Sequence, residues 1–405
     1  MLGFATTAWS QGSGGVNRPE QQDKPYVILI SIDGFRWDLQ RLFDTPGMDR
    51  ISTNGVKADA MVPVYPTMTF PNHYSIATGL YPANHGIVDN EFYSRDRQRF
   101  YSLRDRQAVQ DGSWYGGTPL WVAAEQQGMV SAAYFFVGTE ADVQGVRPTY
   151  WFPFNGNVPG EDRVTKALEW LELPDAERPH MITLYFEDVD EALHSYGLPS
   201  PQVTAAVTLV DGFISTLLDG IEALPFADDV YIVLVSDHGQ AKFRSRGPAF
   251  VVEDHVNFEG IRAIDHDSFV ALYFEEPNSG LARVIAERIN ETWQRGQAVL
   301  PGEAPDSWHV TRGSRFADVI LQADERAVVH SKRRTPPRLV SSHGWAPQIR
   351  QMHGHFSARG PRIAPGTTVP AFESVDVYPF IMEILGLSIS DPIDGNPDTL
   401  VPLLQ

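Results

Sequence analysis

Three apolar runs that each end abruptly in an acidic residue constrain the fold of this chain more than any other feature. They read YVILISIDG at 26–34, MITLYFEDVD at 181–190 and VYIVLVSDHG at 230–239. A short, continuous apolar run without alternation is typical of a strand that is buried on both faces, as the strands of a parallel sheet are. We therefore predict three core strands, each followed by a loop at its carboxyl end.

Weaker strand patterns and helical patterns fill the stretches between these runs. The weaker strands are predicted at 130–138 and 338–344, and the helices at 118–127, 161–172 and 201–224. The alternation of strands and helices predicts an α/β fold, in which helices cover both faces of a mostly parallel sheet. A tail helix within 372–387 has an amphipathic pattern and should return to the same core.

Residues 241–337 differ in pattern from the rest of the chain. They contain scattered short strands, one helical stretch near 279–296 and basic loops. This mixture predicts a smaller α+β subdomain inserted into the α/β core. The core would then comprise residues 26–240 and 338–405.

The first 25 residues are predicted to lie outside the core. Residues 1–11 are apolar and rich in small side chains, which fits either the remnant of a signal peptide or a disordered N-terminus. Residues 12–25 are polar and contain Gly and Pro, so a flexible lead-in is expected. No apolar run approaches the ~18 residues that a membrane helix needs, and we predict no integral membrane segment.

Charge and cysteine content exclude several classes of function. The 405 residues carry Asp+Glu 51 against Lys+Arg 32, a formal net charge of −19 at pH 7. Such a surface repels a nucleic-acid backbone, so we expect no nucleic-acid-binding face. The chain contains no cysteine, which excludes disulfides, thiolate metal ligands and a cysteine nucleophile. The same absence favours a bacterial source over a secreted animal protein.

Metal-type ligands collect where the predicted strands end. Asp33, Asp190 and Asp237 follow the three strong strands, and His343 follows a weaker one. Ligands in open α/β sheets bind beyond the carboxyl ends of the strands, so these side chains should share one rim. The alternative for any single Asp is a helix N-cap, because Asp is common at that position.

Two local spacings favour the metal interpretation of this rim. Asp190 and His194 lie four residues apart, so one helical turn would place both side chains on one face. Asp237 and His238 are adjacent where the chain turns after its strand. Carboxylate and imidazole ligands without thiolate suit zinc or manganese better than calcium or magnesium, which favour oxygen ligands only.

The segment PTMTFPNHYSIATG at 66–79 is predicted to join a strand to a helix. Thr69 falls at or just before the helix N-terminus, where Pro71 is acceptable in the first turn. Free backbone N–H groups and the helix dipole favour an anion there. Thr69 is therefore either an N-cap or a nucleophile towards a phosphoryl group, and the second role requires activation, for example by a metal.

Several segments together resemble one known family. They are SIDGFRWD, PTMTFPNHYSIATGLYPANHGIVDN, YFEDVDEALHSYG, VSDHG and SSHGWAP with QMHGHFSARGP. In order and approximate spacing they are similar to the nucleotide pyrophosphatase/phosphodiesterase family of the alkaline phosphatase superfamily. The likeness runs from about Tyr26 to the C-terminal DVYPFIMEILGL and is weakest within 241–337. It implies an alkaline-phosphatase-like α/β core.

The resemblance also implies a site that holds two zinc ions per chain. One ion would be held by Asp190, His194 and His343, and the other by Asp33, Asp237, His238 and Thr69. His343 is preferred over His353 and His355, because the family's His-Gly pair lies nine positions before a Met, here Met352.

Catalytic and substrate-binding roles follow from the same resemblance. Thr69 would attack phosphorus and form a phospho-threonine intermediate. Asn90 would contact a non-bridging phosphoryl oxygen together with the backbone N–H of Phe70. Phe70 and Phe154 would sandwich a nucleotide base, although Phe154 could equally be a packing residue.

The resemblance implies a small-molecule substrate, a phosphodiester or nucleotide pyrophosphate that yields a nucleoside monophosphate. Phosphomonoesterases of the superfamily add basic side chains after the strand at 130–138, where this chain has Glu140 and no base. The alternatives are glycerophosphodiesters, lysophospholipids or monoesters at the same metals, or a catalytically inactive binding protein. The family usually acts outside the cytoplasm, so a periplasmic or secreted location is expected, and the oligomeric state is left open.

Overall fold

The structure is a computed structural model that describes residues 15–243, 249–313, 315–333 and 339–405. Residues 1–14, which include the segment 1–11 predicted to be a signal-peptide remnant or a disordered N-terminus, lie outside the described residues. The strands are, in chain order, β1 (Tyr26–Ile32), β2 (Val56–Ala58), β3 (Met61–Val62), β4 (Glu91–Ser94), β5 (Arg99–Ser102), β6 (Ser131–Tyr134), β7 (Tyr150–Phe152), β8 (Met181–Phe186), β9 (Val230–Val235), β10 (Ala241–Lys242), β11 (Phe250–Val251), β12 (Ile261–Asp265), β13 (Phe269–Phe274), β14 (Gly296–Val299), β15 (Val319–Ala323), β16 (Val329–His330), β17 (Ser341–Ser342), β18 (Phe356–Arg359), β19 (Thr367–Val369) and β20 (Phe372–Glu373). The α-helices are α1 (Leu39–Leu42), α2 (Pro46–Thr53), α3 (Thr69–Thr78), α4 (Pro82–His85), α5 (Arg106–Gln110), α6 (Leu120–Gln126), α7 (Gly160–Leu171), α8 (Asp188–Tyr196), α9 (Pro201–Glu222), α10 (Ser279–Thr292), α11 (Val377–Leu385) and α12 (Pro397–Leu400).

An eight-stranded sheet forms the centre of the molecule, in the order β19-β2-β18-β9-β1-β8-β6-β7. β1 pairs in parallel with β8 and β9, and β6 pairs in parallel with β8 and β7. β18 is antiparallel to both of its neighbours, β9 and β2. The prediction of a mostly parallel α/β sheet is therefore confirmed, with one antiparallel strand that the sequence patterns did not reveal.

Helices cover both faces of this sheet, and the side chains of β1 pack against both helical layers. Its side chains alternate, so Ile28 and Ile30 join the core on the face of α2, α7 and α9. Val27 and Leu29 point to the opposite face, which α3, α6 and α11 cover. Every residue of β1 is buried, as expected for a strand between two helical layers. The tail helix α11 packs in the same core, with all of its residues except Glu383 buried.

Helix α9 is long and apolar enough to cross a membrane by length and composition alone. In the structure, one of its faces packs into the core beside α7 and the sheet, through residues such as Val203, Val207 and Val210. Its N-terminus is capped by Ser200, whose Oγ accepts hydrogen bonds from the backbone N–H groups of Gln202 and Val203. This packing accounts for the apolar residues of that face.

A second sheet lies within residues 241–337, in the order β12-β13-β15-β14. Its neighbouring strands are all antiparallel, and α10 packs against β14 and β15. The helix predicted near 279–296 is observed as α10, which ends earlier, at Thr292. The short strand β17 pairs with β10 rather than with the central sheet.

Two local predictions were wrong. The segment 338–344 does not form a core strand; its described part contributes only β17, an antiparallel pair with β10, because its polar residues do not suit a position buried on both faces. Residues 15–25 also differ from the flexible lead-in that we predicted. Asn17 is buried and donates to the backbone carbonyls of Asp175 and Arg178, and its side-chain oxygen accepts from the N–H of Val130.

Buried His85 gives the fold a predictable acid sensitivity. Its Nε2 lies 2.9 Å from Ser75 Oγ, and burial lowers its pKa from 6.5 to about 3. Below pH 6.5 the unfolded chain binds a proton at this position that the folded chain does not bind, so the free energy of unfolding falls as pH falls towards 3. The slope is about 1.4 kcal/mol per pH unit within that window.

We expect His85→Gln to remove this slope. Urea unfolding of wild type and variant at several pH values between 7 and 4 should therefore give stability curves that converge as pH falls. Other titrating groups are common to both proteins and cancel in the difference. Parallel curves would show that the pKa of His85 is the same in the folded and unfolded states.

Candidate active site

The carboxyl ends of three adjacent parallel strands create the rim on which the site is built. The register aligns Ile32 of β1 with Phe186 of β8, and Ser31 of β1 with Val235 of β9. Asp33 follows β1 directly, Asp237 and His238 follow β9, and α8 begins just after β8 and carries Asp190 and His194. Chain segments far apart in sequence therefore bring acids and histidines to one edge of the sheet.

A first cluster joins Asp33, Asp237 and His238, whose ligand atoms all lie within 4.8 Å of one another. His238 Nε2 lies 3.0 Å from Asp237 Oδ2 and 3.7 Å from Asp33 Oδ1. The hydroxyl of Thr69 faces the same nitrogen, with Oγ1 3.4 Å from His238 Nε2. The three cluster residues are buried and Thr69 is half-buried, so four ligand-type atoms meet at the inner end of the site.

The electrostatics of this cluster favour a bound cation. Burial raises the pKa of the Asp33 and Asp237 carboxyls well above the ordinary value, and the charge of nearby Asp190 raises both pKa values further. Asp33 Oδ1 and Asp237 Oδ2 accept no hydrogen bond from the described residues. Buried carboxylate oxygens without partners are costly unless a charge compensates them. The donor set thus fits a divalent metal ion.

A second cluster joins Asp190, His194 and His343, again with ligand atoms within 4.8 Å of one another. Hydrogen bonds fix both imidazoles: His194 Nδ1 lies 2.9 Å from the carbonyl of Ser341, and His343 Nδ1 lies 2.8 Å from that of Thr67. With Nδ1 donating, Nε2 of each ring is an acceptor that can bind a metal when the ring is neutral.

The charges of this second cluster are coupled. Burial alone would lower the pKa of His194, but the Asp190 carboxylate raises that pKa to about 9. Burial lowers the pKa of His343 to about 4, so this ring is neutral at pH 7 and suited to bind a metal. The His343 and His238 rings stack with centroids 3.8 Å apart, which makes the two clusters neighbours. Nitrogen and oxygen ligands without sulfur suit zinc or manganese.

Close backbone approach holds the clusters together. Gly34, which follows Asp33, has φ 67°, a left-handed conformation that glycine adopts without strain. A Cβ at this position would lie 2.6 Å from Asp190 Oδ1. The Gly34 backbone N–H also donates to Asp237 Oδ1 at 3.1 Å, so one residue contacts ligands of both clusters.

Thr69 is the first residue of α3, and the structure excludes its role as a side-chain N-cap. The N-cap position is Met68, and no side chain among the described residues caps this helix. Asn72 shapes the turn instead, because its side chain binds the N–H of Val64 and the carbonyls of Pro66 and Met68. The hydroxyl of Thr69 is thereby left facing the first cluster.

Asn90 and Phe70 lie beside Thr69. The backbone N–H of Phe70 donates to Asn90 Oδ1 at 2.8 Å, so the two groups that the resemblance assigned to one phosphoryl oxygen contact each other directly. Phe70 and Phe154 both line a pocket of about 270 Å³ that opens onto Asp33 and Thr69. Phe154 is 43% exposed and packs edge-on against Phe135.

Three side chains of this region were missed by sequence reasoning. Tyr185 donates its hydroxyl to Asp33 Oδ2 at 2.6 Å, and Gln240 donates to the carbonyl of Asp190 at 3.1 Å. Arg106 reaches the pocket from α5 and pairs with Glu140, so the pocket contains a base even though the segment after β6 has none. The position of Tyr185 on β8, before the acidic turn, was the one available signal.

The histidines that were not assigned to a metal have other partners. His353 Nε2 lies 2.9 Å from the carbonyl of Pro347, and His355 Nε2 lies 2.9 Å from Ser357 Oγ. His73 is a buried residue of α3, and its Nδ1 lies 2.9 Å from the carbonyl of Thr69. These contacts support a structural role for each of the three rings.

The choice between His343 and His353 gives a direct prediction. We expect His343→Ala to lose about one metal ion per chain by elemental analysis, because one of three side chains of the second cluster is removed. His353→Ala, the matched control in the same loop, should keep the wild-type metal content. The reverse pattern would show that the loop supplies a different ligand.

Two adjacent clusters of Asp and His beside a helix-start hydroxyl, on the rim of an α/β sheet, define the class of alkaline-phosphatase-like folds with a candidate two-metal site. Within this class, the chain belongs to the type I phosphodiesterase / nucleotide pyrophosphatase family, whose model matches residues 27–354. The family predicted from the sequence is thus confirmed. The predicted enzyme class, a phosphodiesterase, agrees with the name of this family.

Named relatives agree with this membership. The chain is 31% identical over 399 residues to human ectonucleotide pyrophosphatase/phosphodiesterase family member 1, covering 96% of this chain and 42% of that protein. It is 30% identical over 411 residues to venom phosphodiesterase 2 of Crotalus adamanteus, covering 98% of this chain and 50% of that protein. The chain thus spans about half the length of the curated relatives it matches.

Solved structures cover the chain more completely. Murine ectonucleotide pyrophosphatase/phosphodiesterase 5 superposes with a TM-score of 0.86 and 28% identity, over 94% of this chain and 100% of that chain. An inactive Thr-to-Ala variant of the same murine protein, in complex with AMP, superposes equally well at 27% identity, over 95% of this chain and 100% of that chain. The α/β fold described above is therefore shared with these proteins.

Proposed function

We propose that this chain is a two-zinc phosphodiesterase and nucleotide pyrophosphatase that acts through a phospho-threonine intermediate and releases a nucleoside monophosphate. One observation carries the proposal. The Thr69 hydroxyl lies at the start of α3, 3.4 Å from His238 Nε2, against carboxylate oxygens that lack hydrogen-bond partners among the described residues. The names of the relatives, and the AMP bound to the murine structure, point to the same chemistry.

Metal binding would follow the two clusters. Asp190, His194 and His343 would hold one zinc ion, and Asp33, Asp237, His238 and Thr69 the other. When bound, the ions supply Lewis-acid stabilisation of the attacking and leaving oxygens and promote ionisation of a bound hydroxyl. Two Zn²⁺ supply +4 and three Asp supply −3, which leaves +1 before Thr69 ionises. That balance matches the single negative charge of a phosphodiester.

The residues of the chain itself perform the substitution. Thr69 Oγ1 attacks phosphorus in line with the leaving group, and the leaving alcohol or phosphate departs as a nucleotidyl-threonine forms. Water then releases the nucleoside monophosphate in a second displacement, which restores the Thr69 hydroxyl. The Phe70 N–H and the Asn90 amide would donate to a non-bridging oxygen, and this requires their mutual hydrogen bond to open.

The pocket next to Thr69 would receive the retained group of the substrate. Phe70 and Phe154 offer aromatic faces to a base, and stacking of this kind is worth ~1–3 kcal/mol per base. Arg106 lines the same pocket, but its charge is offset by Glu140. Nearby Glu191 adds negative charge, so substrates with several extra phosphates should be disfavoured.

A second candidate function is favoured by the acidic character of that pocket. Glu191 lines it beside the aromatic rings of Phe154 and Tyr185, together with Glu187, whose carboxylate is paired with Arg163. Carboxylates and aromatic faces together suit a quaternary ammonium group. A choline-bearing glycerophosphodiester or lysophospholipid is therefore the alternative substrate for the same metal site.

A substrate panel separates these candidates. Thymidine p-nitrophenyl phosphate, bis-p-nitrophenyl phosphate, glycerophosphocholine and p-nitrophenyl phosphate should be compared by kcat/KM with the zinc-loaded protein. The proposal expects fastest turnover of the thymidine diester. Fastest turnover of glycerophosphocholine would favour the second candidate, and fastest turnover of the monoester would overturn the diesterase assignment.

Organisation and location complete the proposal. We propose that residues 241–337 form an inserted α+β subdomain within a catalytic core of 26–240 and 338–405, since the second sheet and α10 fall within that segment. We also propose a periplasmic or secreted location, because the relatives are named ectoenzymes and venom enzymes. Fractionation of cells that express the full-length protein, followed by diesterase assays, tests the location; activity confined to the cytoplasm would contradict it.

A further inference from the structure

We propose that His266, a residue of the second sheet's β12–β13 turn, is a positioning residue that acts through Asp89 on Asn90 and the start of α3. The inference deepens the function proposed above and rests on it. It gives residues 241–337 a specific task, which is to hold the phosphoryl-binding groups of the core in place.

A continuous chain of contacts links His266 to Phe70. His266 Nε2 lies 2.8 Å from Asp89 Oδ2. The other carboxylate oxygen, Asp89 Oδ1, accepts from the backbone N–H of Asn90 at 2.6 Å. Asn90 Oδ1 in turn accepts from the N–H of Phe70 at 2.8 Å, next to Thr69. Asp89 therefore binds the insertion with one oxygen and the proposed substrate-binding loop with the other.

Because Asp89 is buried, the chain of contacts from His266 to Phe70 is sensitive to the loss of His266. Asp89 is 3% exposed, and burial raises its pKa above the ordinary value although His266 opposes that shift. Burial would lower the pKa of His266, but the Asp89 carboxylate raises it, so the pair is mutually stabilising. Removal of one partner from a buried pair leaves the other uncompensated, and the surrounding loop must then shift to hydrate or rebury it.

His266 is itself held rigidly on the insertion side. Its ring packs on Phe269 with centroids 4.6 Å apart. The next residue, Asp267, has φ 63°, and its carboxylate lies 2.8 Å from His330 Nε2. The backbone N–H of Ser331 donates to Asp265 Oδ2 at 2.6 Å. The turn is thus fixed on both sides of His266, as a positioning element must be.

The same turn also contacts the loop that carries His343. Gly344 has φ 91°, and a Cβ built on it would lie 2.3 Å from Ser268 Oγ and 3.0 Å from Met68 Sδ. The β12–β13 turn therefore packs against residues next to Asn90 and His343, and Gly344 in turn approaches Met68, the neighbour of Thr69. Its contact with Asp89 is the one that reaches a group assigned to the substrate.

The expected kinetic effect lies in kcat rather than KM. Loss of a single oxyanion donor typically lowers kcat by about 10²–10³-fold, and a loosened donor should lose part of that. We expect His266→Ala to lower kcat for thymidine p-nitrophenyl phosphate by about tenfold or more, with KM little changed. His266→Gln keeps a side-chain N–H donor and should recover most of the loss.

A double-mutant cycle with Asn90→Ala tests whether His266 acts through Asn90. The cycle compares kcat of wild type, His266→Ala, Asn90→Ala and the double variant, each with its metal content and melting temperature recorded. We expect the double variant to be about as slow as Asn90→Ala alone, because the two changes remove one function. Equal metal content would exclude an effect through the ligands.

Several results would overturn the inference. One is a double variant whose loss of kcat equals the product of the two single losses. The others are wild-type kcat in His266→Ala or in Asn90→Ala, and failure of His266→Gln to recover the rate. If His266→Ala does not fold, His266→Gln and His266→Phe replace it, and equal rates for these two would contradict the role of the N–H donor. A wild-type protein that hydrolyses no diester in the panel would instead overturn the proposed function itself.

Discussion

Thr69→Ala is expected to reduce hydrolysis of thymidine p-nitrophenyl phosphate by more than about 10⁴-fold, because the variant lacks the attacking oxygen. Metal content should stay at the wild-type level, since Asp33, Asp237 and His238 remain to hold the ion. Thr69→Ser, which retains a hydroxyl, should keep measurable turnover. Initial rates with elemental analysis of the same samples measure both outcomes.

Thr78→Ala is the matched control for this prediction. Thr78 is the last residue of the same helix α3, has no role in the proposed mechanism, and its hydroxyl donates to the carbonyl of Tyr74 at 2.7 Å. The control should retain near-wild-type kcat, so that a loss at Thr69 cannot be ascribed to general damage to α3. Near-normal turnover by Thr69→Ala would refute the covalent route and leave direct attack by water.

Removal of metal is the second prediction with a large effect. Dialysis against a chelator should abolish diester hydrolysis, and about two equivalents of zinc per chain should restore it. The physical reason lies in Asp33 and Asp237, because burial and like charge raise the pKa of both carboxyls when no cation is present. The apo protein therefore holds protonated or uncompensated carboxyls where the hydroxyl of Thr69 must be activated.

Stability should change together with activity in this experiment. A ligand that binds only the folded state stabilises it by mass action, so the melting temperature should fall on chelation and recover with zinc. His353→Ala provides a protein with an intact ligand set for comparison. Full activity in protein from which elemental analysis finds no metal would contradict the proposed mechanism, whatever the change in melting temperature.

The central strands could be predicted because their signal is local. β1, β8 and β9 are continuous apolar runs, and burial on both faces admits few other residue types. β18 was missed although it pairs with β9, since Phe356–Arg359 is short, ends in a charged residue and takes its place through long-range pairing. The strand predicted at 338–344 was wrong for the opposite reason. An apolar pair of residues suggested a strand there, and the polar neighbours of this pair do not support one.

The site shows the same division between local and long-range information. Asp190 and His194 could be placed together from their spacing on one helix, and Asp237 and His238 from their adjacency. Tyr185 reaches Asp33 across 152 positions and His266 reaches Asp89 across 177, so no spacing in the sequence points to either contact. His266 belongs to none of the motifs found in the sequence, and the structure pairs it with buried Asp89.

The stereochemical course at phosphorus tests the proposed mechanism most directly. A thymidine p-nitrophenyl phosphorothioate of known configuration should be hydrolysed in ¹⁸O-labelled water, and the configuration of the labelled product determined. Attack by Thr69 followed by attack of water comprises two in-line displacements, each of which inverts phosphorus, so the product should show overall retention. Overall inversion would require a single displacement by water and would contradict a covalent intermediate on Thr69.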